Sequence, residues 1–373
     1  MEDKHLDIIA EAVESIDFKG EVTEVKVFGS GNINDTFLVK AIKDGKEERY
    51  ILQRINHSIF KDVGKLMENY CKVCDYLKEI VKARGGDIYR ETITVVKTKN
   101  GKNFLKDSKG NYWRGILFIT NSLTSEVIEC KEDFYKTGKA FGGFQNMLAD
   151  YKADTLYESI PNFHNTKERF KSFLDAVEKD EAGRKSEVEA EIDFILKREA
   201  DTGVLLNMLE AGELPLRATH NDAKLGNIIL DKDTKEGICI IDLDTVMPGL
   251  SLYDFGDAIR SGATKSAEDE KDLENVYVDL ELFEAFTKGF IEGADKGLTE
   301  KEIEMLPMGA KVITLEQGIR FLTDYLNGDV YYKTSYDKQN LYRTKTQLKL
   351  VADMESKWSK LNEIVANYRD IYI

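Results

Sequence analysis

The sequence predicts an α+β protein of two lobes: a small, β-rich N-terminal lobe over residues 1–120 and a larger, mainly helical C-terminal lobe over residues 121–373. Three observations lead there. The chain has 373 residues, more than one small core accommodates, so two lobes sharing a cleft are expected. Short β-type runs separated by turn residues fill the first third. Apolar residues at helical spacing fill the rest, broken by one β interruption from Asn227 to Asp242.

The N-terminal elements follow from local pattern. Val22 to Phe28 nearly alternates and reads as a strand, followed by Gly29-Ser30-Gly31-Asn32 and a second strand, Thr36 to Ile42. Asp44-Gly45 is a hairpin signal, and the return strand is Arg49 to Ile55. The glycine loop therefore joins strand to strand. In dinucleotide and Walker-type loops the glycines open a helix instead. A glycine-rich turn between antiparallel strands is the device that covers phosphates in protein-kinase-like folds, although most such triplets taken alone are tight turns. Val63 to Lys82 reads as a helix. Short strands follow near Thr92–Lys97, Asn103–Lys106 and Tyr112–Ile119, and Asn121 to Thr124 reads as a linker.

Beyond the linker, helical stripes recur: Phe134, Phe141, Phe144 and Leu148; Val188, Ile192 and Ile195; Phe283, Phe286 and Phe290; Leu348, Val351, Trp358, Leu361 and Val365. They read as core faces. Glu187, Glu189, Glu191, Lys197, Arg198 and Glu199 read as a solvated helix face.

Charge and composition exclude several classes. Lys and Arg number 53 against 68 Asp and Glu, a net charge of −15, which does not suit a nucleic-acid backbone. No apolar run reaches bilayer-spanning length, so no membrane partner is expected. The N-terminus lacks a signal-peptide pattern, and a cytoplasmic address is expected. Cys71 and Cys74 are spaced as one face of a partly buried helix. No second Cys/His pair completes a metal site, so a metal or redox role is set aside.

The β interruption carries the chemistry. His220-Asn221-Asp222-Ala223-Lys224-Leu225-Gly226-Asn227 leads into the strand Ile228–Leu230. A polar turn and the return strand Ile238–Ile241 end at Asp242-Leu243-Asp244. In an antiparallel hairpin the start of one strand lies beside the end of the other, so Asn227 and Asp242 converge. Their oxygens suit Mg²⁺, which keeps waters and takes phosphate oxygens. Asp222, on the loop leading in, supplies a further carboxylate to orient a hydroxyl and take its proton. That set is what phosphoryl transfer from ATP requires. His220 reads as a hydrogen-bonding residue holding the loop, and Asp231 to Lys235 as a turn. Arg54, on the strand after the glycine loop, is the candidate for the ATP α/β-phosphates. Glu68 on the following helix is its expected ion-pair partner, with Gln53 on the opposite face. Phe118 and Ile119, ending the last strand before the linker, stand where adenine would meet the backbone or, equally, are ordinary core.

These segments resemble a known group. His220 to Asn227 and Ile241 to Arg260 are similar to the aminoglycoside phosphotransferase-like superfamily, a branch with the protein-kinase-like fold. Together with Gly29 to Thr36, Tyr50 to Arg54 and Glu316 to Leu326, they resemble its N-acetylhexosamine 1-kinase subgroup. The resemblance implies an ATP- and Mg²⁺-dependent kinase acting at the anomeric hydroxyl of GlcNAc or GalNAc. By motif position Asp222 would be the base and touch the sugar. Asn227 and Asp242 would be metal ligands, Asp242 also facing sugar hydroxyls, and Arg320 and Tyr331 would hold the sugar. Asn32 departs from the histidine often found there in that group. Otherwise Arg320 would pair with an acid such as Asp324, and Tyr331 would simply pack. Asp254 and Asp257 read as structural, fixing the loop or capping the helix that begins near Phe255.

Other readings are a kinase for another small alcohol of choline, homoserine or aminoglycoside type, a two-metal phosphohydrolase, and a non-catalytic nucleotide-binding module. The phosphohydrolase needs several histidine ligands where the chain has 4 scattered histidines, and the non-catalytic module would be expected to lack Asp222 or Asp242. Partners are thus ATP and a small sugar, with a monomer expected and a dimer compatible.

Overall fold

The computed structural model describes residues 3–29, 33–124, 128 and 130–372. The N-terminal part runs α1 (Asp3–Ser15), β1 (Glu21–Val27), β2 (Asp35–Lys43), β3 (Lys46–Ile55), α2 (Val63–Ala83), β4 (Val95–Val96), β5 (Leu105–Lys106) and β6 (Tyr112–Leu117). The sheet order is β1-β2-β3-β6-β4, with β5 also on β6 and every pair antiparallel. Asp44 and Gly45 both have positive φ, 51° and 74°, as a two-residue hairpin with right-handed strand twist requires.

The two faces of this sheet have different partners. Phe37, Val39, Tyr50, Leu52 and Trp113 pack with Ile9, Ala12 and Ile16 of the α1 side. Ile55 joins Phe60, Leu66 and Tyr70 in the core beneath α2. Helix α1 was not among the elements expected from the sequence; it covers one face of the sheet. Helix α2 is capped by Asp62, whose carboxylate accepts from the Lys65 amide at 3.0 Å. Its Cys74 is core, Cys71 is half-buried, and both thiols are free. Burial pushes the Cys71 thiol up to about 11 and the Cys74 thiol higher still, as inert packing residues require.

The C-terminal part runs β7 (Ser122–Leu123), α3 (Lys131–Met147), α4 (Thr166–Lys179), α5 (Glu189–Leu196), α6 (Glu199–Glu210), β8 (Arg217–Thr219), β9 (Ile228–Asp231), β10 (Gly237–Ile240), β11 (Met247–Gly249), α7 (Ser251–Gly262), α8 (Leu280–Ala294), α9 (Glu300–Glu304), α10 (Leu306–Leu326), α11 (Gln339–Ser356) and α12 (Trp358–Tyr372). The expected linker at Asn121–Thr124 is not free: Ser122 and Leu123 form β7, paired with Asp231 and Leu230 of β9. Pairing satisfies backbone groups that a connection at the lobe junction would otherwise leave without partners. One apolar core crosses the junction, running from Ile55, Leu66 and Tyr70 through Phe134, Phe141 and Ile240 to Phe255 and Phe286. No helix among the described residues is long and apolar enough to cross a membrane.

Helices α3 and α8 meet backbone to backbone. A Cβ at Gly142 would overlap the Phe290 carbonyl, and one at Gly293 the Lys139 carbonyl, whereas one at Gly143 has 4.0 Å of clearance from Gly293. Gly142→Ala should therefore destabilise the protein by about 1–3 kcal/mol through overpacking. Gly143→Ala should be neutral or stabilising by up to ~1 kcal/mol through helix propensity. Urea unfolding of the two variants measures the contrast.

Candidate active site

The site is built on the loop from β8 to β9. Asp254, in the first turn of α7, is fully buried and accepts hydrogen bonds from the His220 amide (3.0 Å), the Asn221 amide (2.7 Å) and Gln145. This is the loop-fixing role expected of it. Asp257 likewise pairs with Arg260 at 2.8 Å. The His220 Nε2 donates to the Ile241 carbonyl at 2.9 Å, and its Nδ1 faces the Asp222 amide at 3.3 Å. The ring thus staples the loop to the end of β10, as its expected structural role requires.

Three candidate side chains, Asp222, Asn227 and Asp242, come together at this end of the hairpin. The Ile241 amide donates to the Asn227 carbonyl at 2.9 Å, extending the β9–β10 ladder and setting Asn227 beside Asp242. Asn227 Nδ2 donates to the Asp222 carbonyl (2.7 Å) and carboxylate (3.1 Å). Lys224 Nζ lies 3.0 Å from the same carboxylate. Burial pushes the Asp222 carboxyl up, but Lys224 and His220 more than offset it and hold it below the usual range.

Asp242 differs. It adopts a left-handed turn with φ 60°, and no hydrogen-bond donor among the described residues reaches its carboxylate. Burial, then Asp244 and Asp222, push it up to about 6. Asp242 offers a half-buried carboxylate with no cation at ion-pair distance among the described residues, and Asn227 offers an amide oxygen, its nitrogen being committed to Asp222. Two such oxygens fit a hard cation that takes its remaining ligands from water and phosphate. Among the described residues no group of three or more His, Cys, Asp or Glu side chains forms a metal cage.

Behind this edge lies an arrangement that sequence reasoning missed. Arg114 of β6 and Asp244 are buried, at 0% and 2% side-chain exposure, and form a two-pronged ion pair, one prong at 2.9 Å. Arg114 also donates to Gln53 at 2.7 and 2.9 Å and lies 4.2 Å from the Tyr70 ring centroid. Asn34, just past the glycine loop, donates to Asp244 at 2.6 Å, and its own side-chain oxygen accepts from the Asn56 amide at 2.9 Å. Burial opposes the charge on Arg114, but Asp244 outweighs it and keeps the guanidinium above its ordinary value. The available signal was an arginine inside the otherwise apolar run Tyr112-Trp113-Arg114-Gly115-Ile116.

The expected Arg54–Glu68 pair is corrected. Arg54 pairs with Asp35 directly across the β2–β3 ladder, and Glu68 pairs with Lys72 one turn along α2. Arg54 lies on the face that carries Leu52 and Trp113, towards α1. Gln53 is the residue that faces α2 and the other lobe, through Arg114. Alternation correctly separated the two side chains but did not say which face looked into the cleft.

The other residues expected to meet the nucleotide are partly described. Ser30, Gly31 and Asn32 lie outside the described residues. Gly29 has φ 75°, a left-handed conformation suited to glycine. The Phe28 ring packs edge-on against Phe118 at 6.0 Å. The Ile119 side chain is core, and its carbonyl accepts from the Ser122 hydroxyl at 2.6 Å.

Of the residues expected to hold the sugar, Arg320 does not pair with Asp324. Asp324 holds the turn after α10 instead, accepting from the amides of Val330, Tyr331 and Tyr332 at 2.8–3.0 Å. The Arg320 guanidinium lies 5.4 Å from the Phe163 ring and 5.7 Å from the Tyr332 ring and donates to Gln317 at 3.1 Å. Tyr331 is 59% exposed and stacks edge-on against Tyr332 at 4.8 Å. Arg169 stands near Arg320 and donates to the Phe163 carbonyl at 3.0 Å. Among the described residues neither arginine has a carboxylate at ion-pair distance.

Residues 130–284 match the family model described as APH, the phosphotransferase enzyme family. The matched segment contains the whole His220–Asp244 loop system.

The chain also shares its fold with solved phosphotransferases. An aminoglycoside phosphotransferase from Alicyclobacillus acidocaldarius superposes with a TM-score of 0.62 at 11% identity, over 94% of this chain and 96% of that one. Choline kinase from Cryptosporidium parvum gives 0.54 at 14% identity, over 93% of each chain. Spectinomycin phosphotransferase, solved with ADP and spectinomycin, gives 0.51 at 12% identity, over 98% and 97%. The α+β, two-lobed architecture is thus the one read from the sequence.

The two ion pairs predict different sensitivities. Arg114→Met leaves the Asp244 charge buried without its main partner and should destabilise the protein by about 3–5 kcal/mol. Asp35→Ala removes only the exposed partner of Arg54 and should cost under ~1 kcal/mol. Chemical denaturation of both variants checks the difference.

Proposed function

We propose that this protein is an ATP- and Mg²⁺-dependent small-molecule kinase that phosphorylates the anomeric hydroxyl of an N-acetylhexosamine, GlcNAc or GalNAc, to the sugar 1-phosphate. The convergence of Asp222, Asn227 and Asp242 at one end of the β9–β10 hairpin carries this reading. Asn227 and Asp242 would hold the divalent ion, which when bound neutralises charge on the triphosphate. Asp222, kept ionised and oriented by Lys224 and Asn227, would align the acceptor hydroxyl and receive its proton. The acceptor oxygen then bonds to the γ-phosphorus as the bond to the β-phosphate oxygen breaks and ADP leaves. Lys224, 3.0 Å from Asp222, supplies positive charge near the transferred group in place of the Arg54 contact.

The choice of a sugar rests on the sequence resemblance together with the acceptor-side charge. Among the described residues Arg320 and Arg169 have no carboxylate at ion-pair distance, although both feel Glu316, and Arg320 lies near the Phe163 and Tyr332 rings. Two guanidiniums there repel choline, ethanolamine or an aminoglycoside. They donate readily to hydroxyl and acetamide oxygens, and a pocket so paired rejects acceptors lacking those groups. The fold neighbours that act on cationic alcohols motivate the competing reading, a kinase for such an alcohol.

An ATP-consumption panel over GlcNAc, GalNAc, glucose, galactose, choline, homoserine and an aminoglycoside separates these readings. The first two should dominate, and turnover confined to choline or homoserine refutes the sugar assignment. Asp222→Asn should retain nucleotide binding by calorimetry and lose ~10²-fold or more in kcat. Near-normal turnover removes Asp222 from the base role.

A further inference from the structure

His164 lies in the segment before α4, with its side chain 8% exposed, and both its ring nitrogens are engaged. Nδ1 is 2.8 Å from the Glu316 carboxylate, and Nε2 is 2.9 Å from the Asn221 carbonyl. Glu316 is 1% exposed and accepts from the Thr166 hydroxyl at 2.5 Å through its other oxygen. A neutral imidazole has one N–H and one lone pair, so beside an ionised Glu316 it would satisfy one acceptor and present a lone pair to the other. Moving the proton to Glu316 would also fill both contacts, but a carboxyl is ordinarily about two units more acidic than an imidazolium. The surroundings widen that gap. Burial pushes the Glu316 carboxyl up, while His164 and Arg320 pull it lower overall. Burial and Arg320 oppose the charge on His164, while Glu316 and the Asn221 carbonyl favour it and raise it overall.

The two ends of this bridge belong to different parts of the site. Glu316 is one turn before Arg320 on α10, and Asn221 immediately precedes Asp222. Asn221 is itself held in a left-handed turn with φ 64° and is buried, so its carbonyl direction is coupled to where Asp222 begins. We infer that His164, as an imidazolium, is a positioning residue: it ties the acceptor helix α10 to the loop that presents Asp222, and so sets the carboxylate against the acceptor hydroxyl. This deepens the kinase reading and rests on it. The groups facing the ring are Glu316 and Arg320 from α10 and Tyr253 from α7, whose ring centroid is 5.0 Å away; Arg169 from α4 faces the same carboxylate. Because the folded pKa is raised, the bridge is fully present below the ordinary imidazole range and is lost as pH rises through the folded value. Deprotonation leaves one N–H for two acceptors and frees the Asn221 carbonyl or Glu316.

Nitrogen-15 NMR of histidine-labelled full-length protein tests the charge state, with four histidines in all and His164→Gln identifying the signal. Parallel kcat and KM profiles from pH 6 to 10 for wild type, His164→Gln and Glu316→Gln test its use. Both ring nitrogens should be protonated at pH 7.5 in the wild type, and the alkaline fall in kcat should follow the ring titration. Glu316→Gln should move both acid-ward by about one pH unit or more, leaving KM for ATP within about twofold. A wild-type ring carrying a single N–H at pH 7.5 overturns the inference whether or not the variants fold. A charged ring with an alkaline limb that ignores Glu316→Gln removes the positioning role and leaves the kinase reading intact. A wild type that turns over no acceptor overturns the kinase reading and the positioning role together, with the ring titration still deciding whether the bridge is ionic.

Discussion

The ion pair between Arg114 and Asp244 is the constraint on which the site depends. Withdrawing two charges from water is costly, and such a pair persists only when nearly every donor and acceptor is used. Here the guanidinium meets both Asp244 oxygens, the Gln53 oxygen and the Tyr70 ring, and Asp244 also accepts from Asn34. These partners come from β3, β6, α2 and the chain following the glycine loop. Asp244 lies two residues after Asp242, so the turn that presents Asp242 is anchored to the N-terminal sheet. The lobes are therefore registered by directional bonds as well as by the shared apolar core.

Three carboxylates crowd this edge, and each is treated differently. Asp244 is neutralised from behind by Arg114. Asp222 is steadied by Lys224 and Asn227, which favour its charged form, and its side chain stays partly exposed. Asp242 has no cation at ion-pair distance among the described residues, and burial, then Asp244 and Asp222, push it up to about 6. A chain of net charge −15 thus concentrates an unbalanced negative position where a divalent ion and triphosphate are proposed to meet. On the proposed acceptor side the imbalance reverses, with Arg320 and Arg169 set near Phe163, Tyr331 and Tyr332.

Much of this was legible because it is encoded locally. The Asp44-Gly45 hairpin, the helix α2 and the β9–β10 hairpin each carry their own turn chemistry or periodicity, and the strand register brings Asn227 to Asp242 without further information. Other elements depended on distant partners. Helix α1 forms as the cover of a sheet face, and Ser122-Leu123 is a strand because β9 offers it an edge. Arg114 looked like one charge in a short strand, since its partner lies 130 residues away.

The sequence by itself determined the α+β order of elements and the meeting of Asn227 with Asp242 at one end of a hairpin, because those rest on contacts within a few residues or one hairpin. Tertiary structure alone decided which face of β3 meets the other lobe, and hence that Gln53 and not Arg54 is turned inward. It also decided that Asp244 is a buried anchor and that His164 bridges Glu316 to Asn221. Period-two alternation says which side chains share a face. The identity of that face's neighbour depends on how separate layers pack, which no local pattern records.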